Sequence, residues 1–135
     1  MKTPSIQSRY FSPKLLMITT IVVVLLSGLN AFCSAQDCKI LPSSFPSYEV
    51  ALKKVKAATF KVKENVDTSR SSWIRGAAFY SCDSRTGFLI IKTDDGEYIH
   101  QALPMEVWRG FKTAPSMGSY YQANIRNRYM LKLND

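Results

Sequence analysis

Residues 88–102 read FLIIKTDDGEYIHQA. Phe88–Thr93 is an apolar run of strand length, Asp94-Asp95-Gly96 supplies turn residues, and Glu97–Ala102 resumes at strand length. An Asp-Gly step between two such runs signals a hairpin, because glycine tolerates the positive φ that tight turns require. The pattern extends upstream. Cys82–Gly87 (CDSRTG) is a second turn, and before it Trp73–Tyr80 forms another strand, with Trp73, Ala77 and Phe79 expected on one face and Ile74, Ala78 and Tyr80 on the other. Gly76 marks a bulge or a close approach. Successive strands joined by short turns predict an antiparallel meander.

Outside this core the periodicity changes. Thr59–Glu64 alternates Phe60 and Val62 with Lys61 and Lys63, the pattern of a half-buried edge strand, and Asn65–Ser72 is a polar connector. Ser47 is placed to cap a helix running to about Lys56, with Tyr48, Leu52 and Val55 inward and Lys53 and Lys54 outward. Gln36–Pro46, rich in Ser and Pro, reads as a tail pinned by Cys38. Downstream, Pro104 starts a helix carrying Val107, Trp108 and Phe111, which Pro115 and Gly118 interrupt. A further helix begins near Ser119 with Tyr121 and Ile125 on one face, followed by a short extension in which Tyr129, Leu131 and Leu133 alternate. The expected class is α+β, a small antiparallel β-meander of three to four strands packed against helices.

The N-terminus of this 135-residue chain is read as a cleavable export signal. Lys2, Arg9 and Lys14 precede the apolar run Leu15–Leu29, and Cys33-Ser34-Ala35 puts small residues at the −3 and −1 positions of a cleavage site. An uncleaved anchor and a lipid-modified Cys33 are the alternatives. The run is interrupted by Thr19, Thr20, Ser27 and Asn30 and falls short of the ~20 apolar residues of a spanning helix. Phe32 makes a poor neighbour for a lipidated cysteine. The expected organisation is a signal over 1–35, an N-terminal extension with a short helix and an edge strand over 36–70, and a domain over 71–130. The product is extracytoplasmic, periplasmic or secreted, and meets the membrane only through the uncleaved signal. Removing Lys2, Arg9 and Lys14 lowers the formal net charge from +8 to +5. Cys33 departs with the signal, so Cys38 and Cys82 form an even pair, expected as a disulfide outside the cytosol, with two free thiols as the alternative.

Catalytic constellations are sparse. His100 is the single histidine, and with Cys82 bonded there is neither a Cys/His pair nor a cluster of the size zinc needs. Ser81 or Ser84 with His100 and Asp83 could compose a triad, yet no strained nucleophile turn is present. Asp94, Asp95 and Glu97 lack the alternating ligands of a calcium loop. No catalytic residue, metal or cofactor is therefore expected. Residues 120–129 (YYQANIRNRY) interleave aromatics, amides and arginines, a mixture that suits single-stranded nucleic acid, where bases stack and arginines neutralise phosphates. The competing reading places Tyr121, Ile125 and Tyr129 in the core and leaves Arg126 and Arg128 as a solvated side. Trp73 and Trp108 are read as core residues.

Serines 71 and 72, Leu89-Ile90-Ile91, Gly96-Glu97-Tyr98, Pro104, the Val107–Phe111 helix and Gly118-Ser119-Tyr120-Tyr121 with Ile125 and Tyr129 occur in an order that resembles the KTSC domain, named from the C-terminal region of some lysyl-tRNA synthetases. The resemblance spans Ser71–Tyr129 and implies a small α+β domain, a meander covered by helices, with RNA binding suggested for the family. The family's central Tyr-any-Tyr motif reads Tyr98-Ile99-His100 here. The export signal and the cysteines lie outside the family pattern.

These readings lead to a non-catalytic, disulfide-stabilised binding module of the bacterial envelope or exterior. Its basic surface is drawn from Lys53, Lys54, Lys61, Lys63, Arg109, Lys112, Arg126 and Arg128, and its partner is a nucleic acid or other anionic polymer, or a protein. The candidate binding residues are Tyr98, His100, Tyr120, Arg126, Arg128 and Tyr129. The alternative is a small hydrolase or nuclease using His100 as general base.

Overall fold

A computed structural model of the chain describes residues 36–135, so the expected export signal over 1–35 lies outside the described residues. Four strands, β1 (Val62–Val66), β2 (Ile74–Ser81), β3 (Thr86–Thr93) and β4 (Glu97–Pro104), form one antiparallel sheet in the order β1-β2-β3-β4. The expected meander is present with four strands. Three α-helices accompany it among the described residues, α1 (Tyr48–Ala57), α2 (Met105–Thr113) and α3 (Met117–Asn124).

Both faces of the sheet are covered, which explains why the strands read as apolar runs as much as alternations. On one face Ile74, Ala77, Phe79, Leu89, Ile91 and Leu103 pack against Trp108 and Phe111 of α2 and Tyr121 of α3, with Ile125 beyond it. Trp108 is stacked between Phe79 and Phe111, with ring centroids 5.6 and 5.8 Å away. On the other face Tyr80, Ile90 and Ile99 meet Ala51 and Val55 of α1, together with Phe45 and Leu131.

Several boundaries differ from the sequence reading for physical reasons. Ile74 faces the α2–α3 layer with Ala77 and Phe79, because the β2–β3 register shifts between Ile74 and Gly76, and a bulge there reverses the alternation. The edge strand runs to Val66, since Asn65 and Val66 pair with Ala78 and Ala77. Ser47 does cap α1, accepting from the Val50 amide at 3.2 Å. The helix, however, buries Ala51 and Val55 and leaves Tyr48 exposed, the small Ala51 letting it approach the sheet. Gly118 does not interrupt a helix but lies inside α3, whose N-cap is Ser116. A Cβ at Gly118 would sit 2.5 Å from Trp73 Nε1, so glycine is what allows the indole to lie on the helix.

The tail is held by more than a cysteine. Cys38 and Cys82 are joined in a disulfide with Cα atoms 6.0 Å apart. The Phe45 amide donates to the Lys132 carbonyl and the Asn134 amide to the Phe45 carbonyl, at 2.9 and 2.8 Å. Gln101 ties both terminal segments to β4, donating to the Ser43 carbonyl and accepting from the Lys132 amide. Among the described residues no helix is long and apolar enough to cross a membrane.

Candidate functional site

Tyr98 and His100 are two apart on β4 and pair with Ile91 and Leu89, so both project towards the α2–α3 layer. They have opposite fates. Tyr98, at the end of the sheet, is 48% exposed, whereas His100 is 7% exposed. The His100 ring lies between the chain after α3 and α3 itself, with Nδ1 3.2 Å from the Tyr129 carbonyl oxygen and Nε2 3.1 Å from the Tyr121 hydroxyl. A carbonyl only accepts, so Nδ1 carries the proton and donates, and Nε2 accepts from the Tyr121 O–H. Burial pushes the His100 pKa below its ordinary value, although the bond to the Tyr129 carbonyl acts the other way. Burial raises the Tyr121 hydroxyl. Both ring nitrogens of a neutral imidazole are thus engaged inside the fold.

Around this pair the β3–β4 turn, Trp73, α3 and the segment after it enclose a cleft of about 690 Å³. Trp73, Tyr98 and Tyr121 are on its lining, with Trp73 and Tyr121 in an edge contact at 5.6 Å. Gln122, Arg126 and Asn127 form one polar rim and Asp94 and Asp95 another. The five most exposed large apolar side chains among the described residues are Ile40, Tyr48, Tyr98, Met130 and Leu133, and three of them, Tyr48, Tyr98 and Met130, line this cleft.

Of the six candidate binding residues the cleft brings together Tyr98, His100 and Arg126. Tyr120 packs against Phe111, with centroids 6.4 Å apart, and over Gly110 in the α2–α3 contact. Tyr129 is half-buried against the same core and contributes its carbonyl to His100, while Arg128 is exposed. Sequence reasoning passed over Trp73, Gln122, Asn127 and the turn acids as parts of one site. Trp108 is fully buried, as expected, but Trp73 shows one side to the cleft.

The other polar constellations are occupied by the fold. The Ser81 hydroxyl donates to the Thr86 carbonyl at 2.5 Å, and Asp83 accepts from the Arg85 and Thr86 amides at 2.8 and 3.0 Å. Those amides, that of Thr86 foremost, hold the Asp83 carboxyl below its usual range. Neither side chain reaches the His100 ring, whose partners are Tyr121 and Tyr129. Asp94 takes both Nε and Nη2 of Arg75 at 2.8 Å, and Glu97 pairs with Lys56. Among the described residues the one His/Cys/carboxylate group close enough for a metal is Asp37, Cys38 and Cys82, whose two sulfurs are bonded to each other.

The lysines gather elsewhere. Lys53, Lys54 and Lys56 on α1 and Lys61 and Lys63 at β1 are all exposed. Lys63 lies 5.5 Å over the ring of Tyr80, which places it on the α1 side of the sheet. Within this set only Lys56 is in an ion pair.

A search of curated proteins finds no match to the chain. Residues 76–129, which span most of β2, all of β3 and β4, both helices of the α2–α3 layer and His100 with its two partners, match the family model of the KTSC domain, and the chain carries a KTSC domain.

Proposed function

We propose that the protein is a non-catalytic binding module acting outside the cytoplasm, and that it engages an anionic polymer through the lysine face of α1 and β1. One observation carries the reading. Lys53, Lys54, Lys61 and Lys63 are exposed and free of ion pairs among the described residues, within eleven positions of each other on and beside consecutive elements. Such a grouping raises the local potential and gathers phosphate or sulfate groups. The hydrolase alternative would need a His100 nitrogen free to take a proton from water or substrate, and both nitrogens are engaged.

The test is a titration of the disulfide-bonded protein with heparin, single-stranded RNA and single-stranded DNA over a salt series. Four phosphate contacts give a slope of log K against log salt of about −3 for a single strand. Lys53→Glu/Lys61→Glu should remove most of the affinity, and Arg126→Glu/Arg128→Glu should remove little. Absence of binding at low salt would retire the polymer, and dependence on the arginine pair alone would move the interface to the other side. Export is checked separately, by whether protein from outside the cytoplasm begins at Gln36.

A further inference from the structure

The cleft beside Tyr98 differs from the lysine face in charge and in chemistry. Two of its acids are neutralised within the fold, Asp94 by Arg75 and Glu97 by Lys56. That leaves Asp95 on one rim and Arg126 on the other, the guanidinium donating to the Gln122 side-chain oxygen at 2.9 Å and to no other side chain among the described residues. Formal charge in the cleft is thus balanced, which favours neither a polyanion nor a polycation.

Its walls are aromatic and exposed. Tyr48 and Tyr98 are 44% and 48% exposed, and Trp73 completes the set. Exposed apolar side chains gathered beside convergent polar groups mark a ligand site. The polar groups are planar amides, a carboxylate and a guanidinium, which offer paired donors and acceptors in fixed geometry. A purely apolar ligand would strip water from Asp95, Gln122 and Arg126 without replacing their hydrogen bonds. A pyranose ring meets both demands. Its C–H face presents positive hydrogens to the negative face of an aromatic ring, and its hydroxyls donate and accept at the rim. The volume of about 690 Å³ falls within the ~300–1,000 Å³ of small-molecule sites and gives room for a short oligosaccharide.

We propose that this cleft binds a neutral saccharide, with a sugar ring packed against Trp73 and Tyr98 and its hydroxyls held by Asp95, Gln122 and Arg126. The site is independent of the lysine face, and its binding is insensitive to salt.

The disulfide-bonded protein is applied to a glycan array, and the bound sugars are titrated by tryptophan fluorescence. Trp73 lines the cleft and Trp108 is 0% exposed, so the signal reports the site. Neutral oligosaccharides should bind with an affinity unchanged by added salt. Tyr98→Ala and Asp95→Ala, both at exposed positions and checked for unaltered melting, should each weaken binding roughly tenfold or more. Lys53→Glu/Lys61→Glu should leave it intact. Binding of sulfated or acidic glycans alone, lost with the lysines, would overturn the saccharide site while supporting the lysine face. An array with no neutral ligand, or binding that survives both cleft substitutions, would overturn it as well.

Discussion

Replacing His100 by Phe keeps a planar aromatic ring and removes the two nitrogens. In the native protein the Tyr129 carbonyl also accepts from the Gln101 amide at 3.1 Å, so it keeps one partner. The Tyr121 hydroxyl, on a residue 7% exposed, loses the Nε2 acceptor. One lost hydrogen bond and one stranded buried hydroxyl cost about 2–3 kcal/mol together. For a domain of this size that lowers Tm by about 8–24 °C near pH 7.5. The pH dependence is the sharper test. The folded pKa of His100 lies below the unfolded value of 6.5, so the unfolded chain takes up a proton first as pH falls. Stability contributed by the neutral imidazole is complete above pH ~6.5 and is lost as pH falls through the folded pKa, by at most ~1.4 kcal/mol per pH unit. Glu64 and Asp83 also have lowered pKa values, and being carboxylates they add losses only below about pH 5. Urea unfolding at steps from pH 7.5 to 5.5 should therefore show the wild-type protein losing stability while His100→Phe stays flat, so that the gap between them closes. Because the chain has one histidine, its ring signals in NMR give the folded pKa directly. Wild-type stability that is flat or rises over this range, or a ring titrating above 6.5, would refute the reasoning.

Four further outcomes follow from the packing. Removing the 44-residue link with Cys38→Ser/Cys82→Ser should cost about 4 kcal/mol in denaturant unfolding. Glu64 accepts from the buried Trp108 indole at 2.8 Å and from Lys112 at 2.6 Å, and these bonds, that of Lys112 first, hold its carboxyl low. Glu64→Ala should lose about 1–3 kcal/mol by stranding the indole N–H, and Glu64→Gln, which keeps an acceptor, should recover most of it. Ala102 has φ 57° next to the β3–β4 register shift, and the left-handed penalty of ~1–2 kcal/mol exceeds the added chain entropy of glycine. Ala102→Gly should accordingly raise Tm by a few degrees. Gly118→Ala should displace Trp73 from α3, lowering stability by about 1–3 kcal/mol and shifting tryptophan emission to the red.

The strands and turns of the meander were legible because their signals are local. Asp94-Asp95-Gly96 and residues 82–87 carry the turn chemistry, and the runs between them have strand length and composition. What escaped depends on distant partners. The face of Ile74 is set by a bulge whose register is fixed only against β3, and the extent of β1 by pairing with Ala77 and Ala78. The parallel bridge between Phe45 and Leu133 joins segments with no shared periodicity. At the site, His100 stood out against its family pattern, but its bonding state is decided by Tyr121, twenty-one residues away. Tyr120 and Tyr129 share the composition of a stacking surface and are nevertheless packed against the α2–α3 core, Tyr120 from within α3 against Phe111 and Tyr129 from the turn segment that follows it. Gln122, Asn127 and the turn acids converge only where α3 meets the β3–β4 hairpin, which no window of sequence displays.

The limits of the family match divide the protein in a way that explains its additional segments. Residues 76–129 supply most of the first core, with Trp108, Phe111 and Tyr121 set against Phe79, Leu89 and Ile91. The opposite face of the same strands carries Tyr80, Ile90 and Ile99, a patch too apolar to be left in water. Phe45, Ala51, Val55 and Leu131 cover it, and all four lie outside the match. These covering segments are fastened to the domain at several points. Cys38 reaches Cys82 on the matched portion, Gln101 clasps Ser43 and Lys132, and His100 holds the carbonyl of Tyr129 just before the terminal segment begins. Within Tyr98-Ile99-His100, the histidine binds at both ring nitrogens. It couples α3 to that terminal segment, and the segment in turn pairs with the tail around Phe45. His100 therefore acts as a joint between the domain and its cover, and this is why its loss is expected in the unfolding curve ahead of any assay of binding.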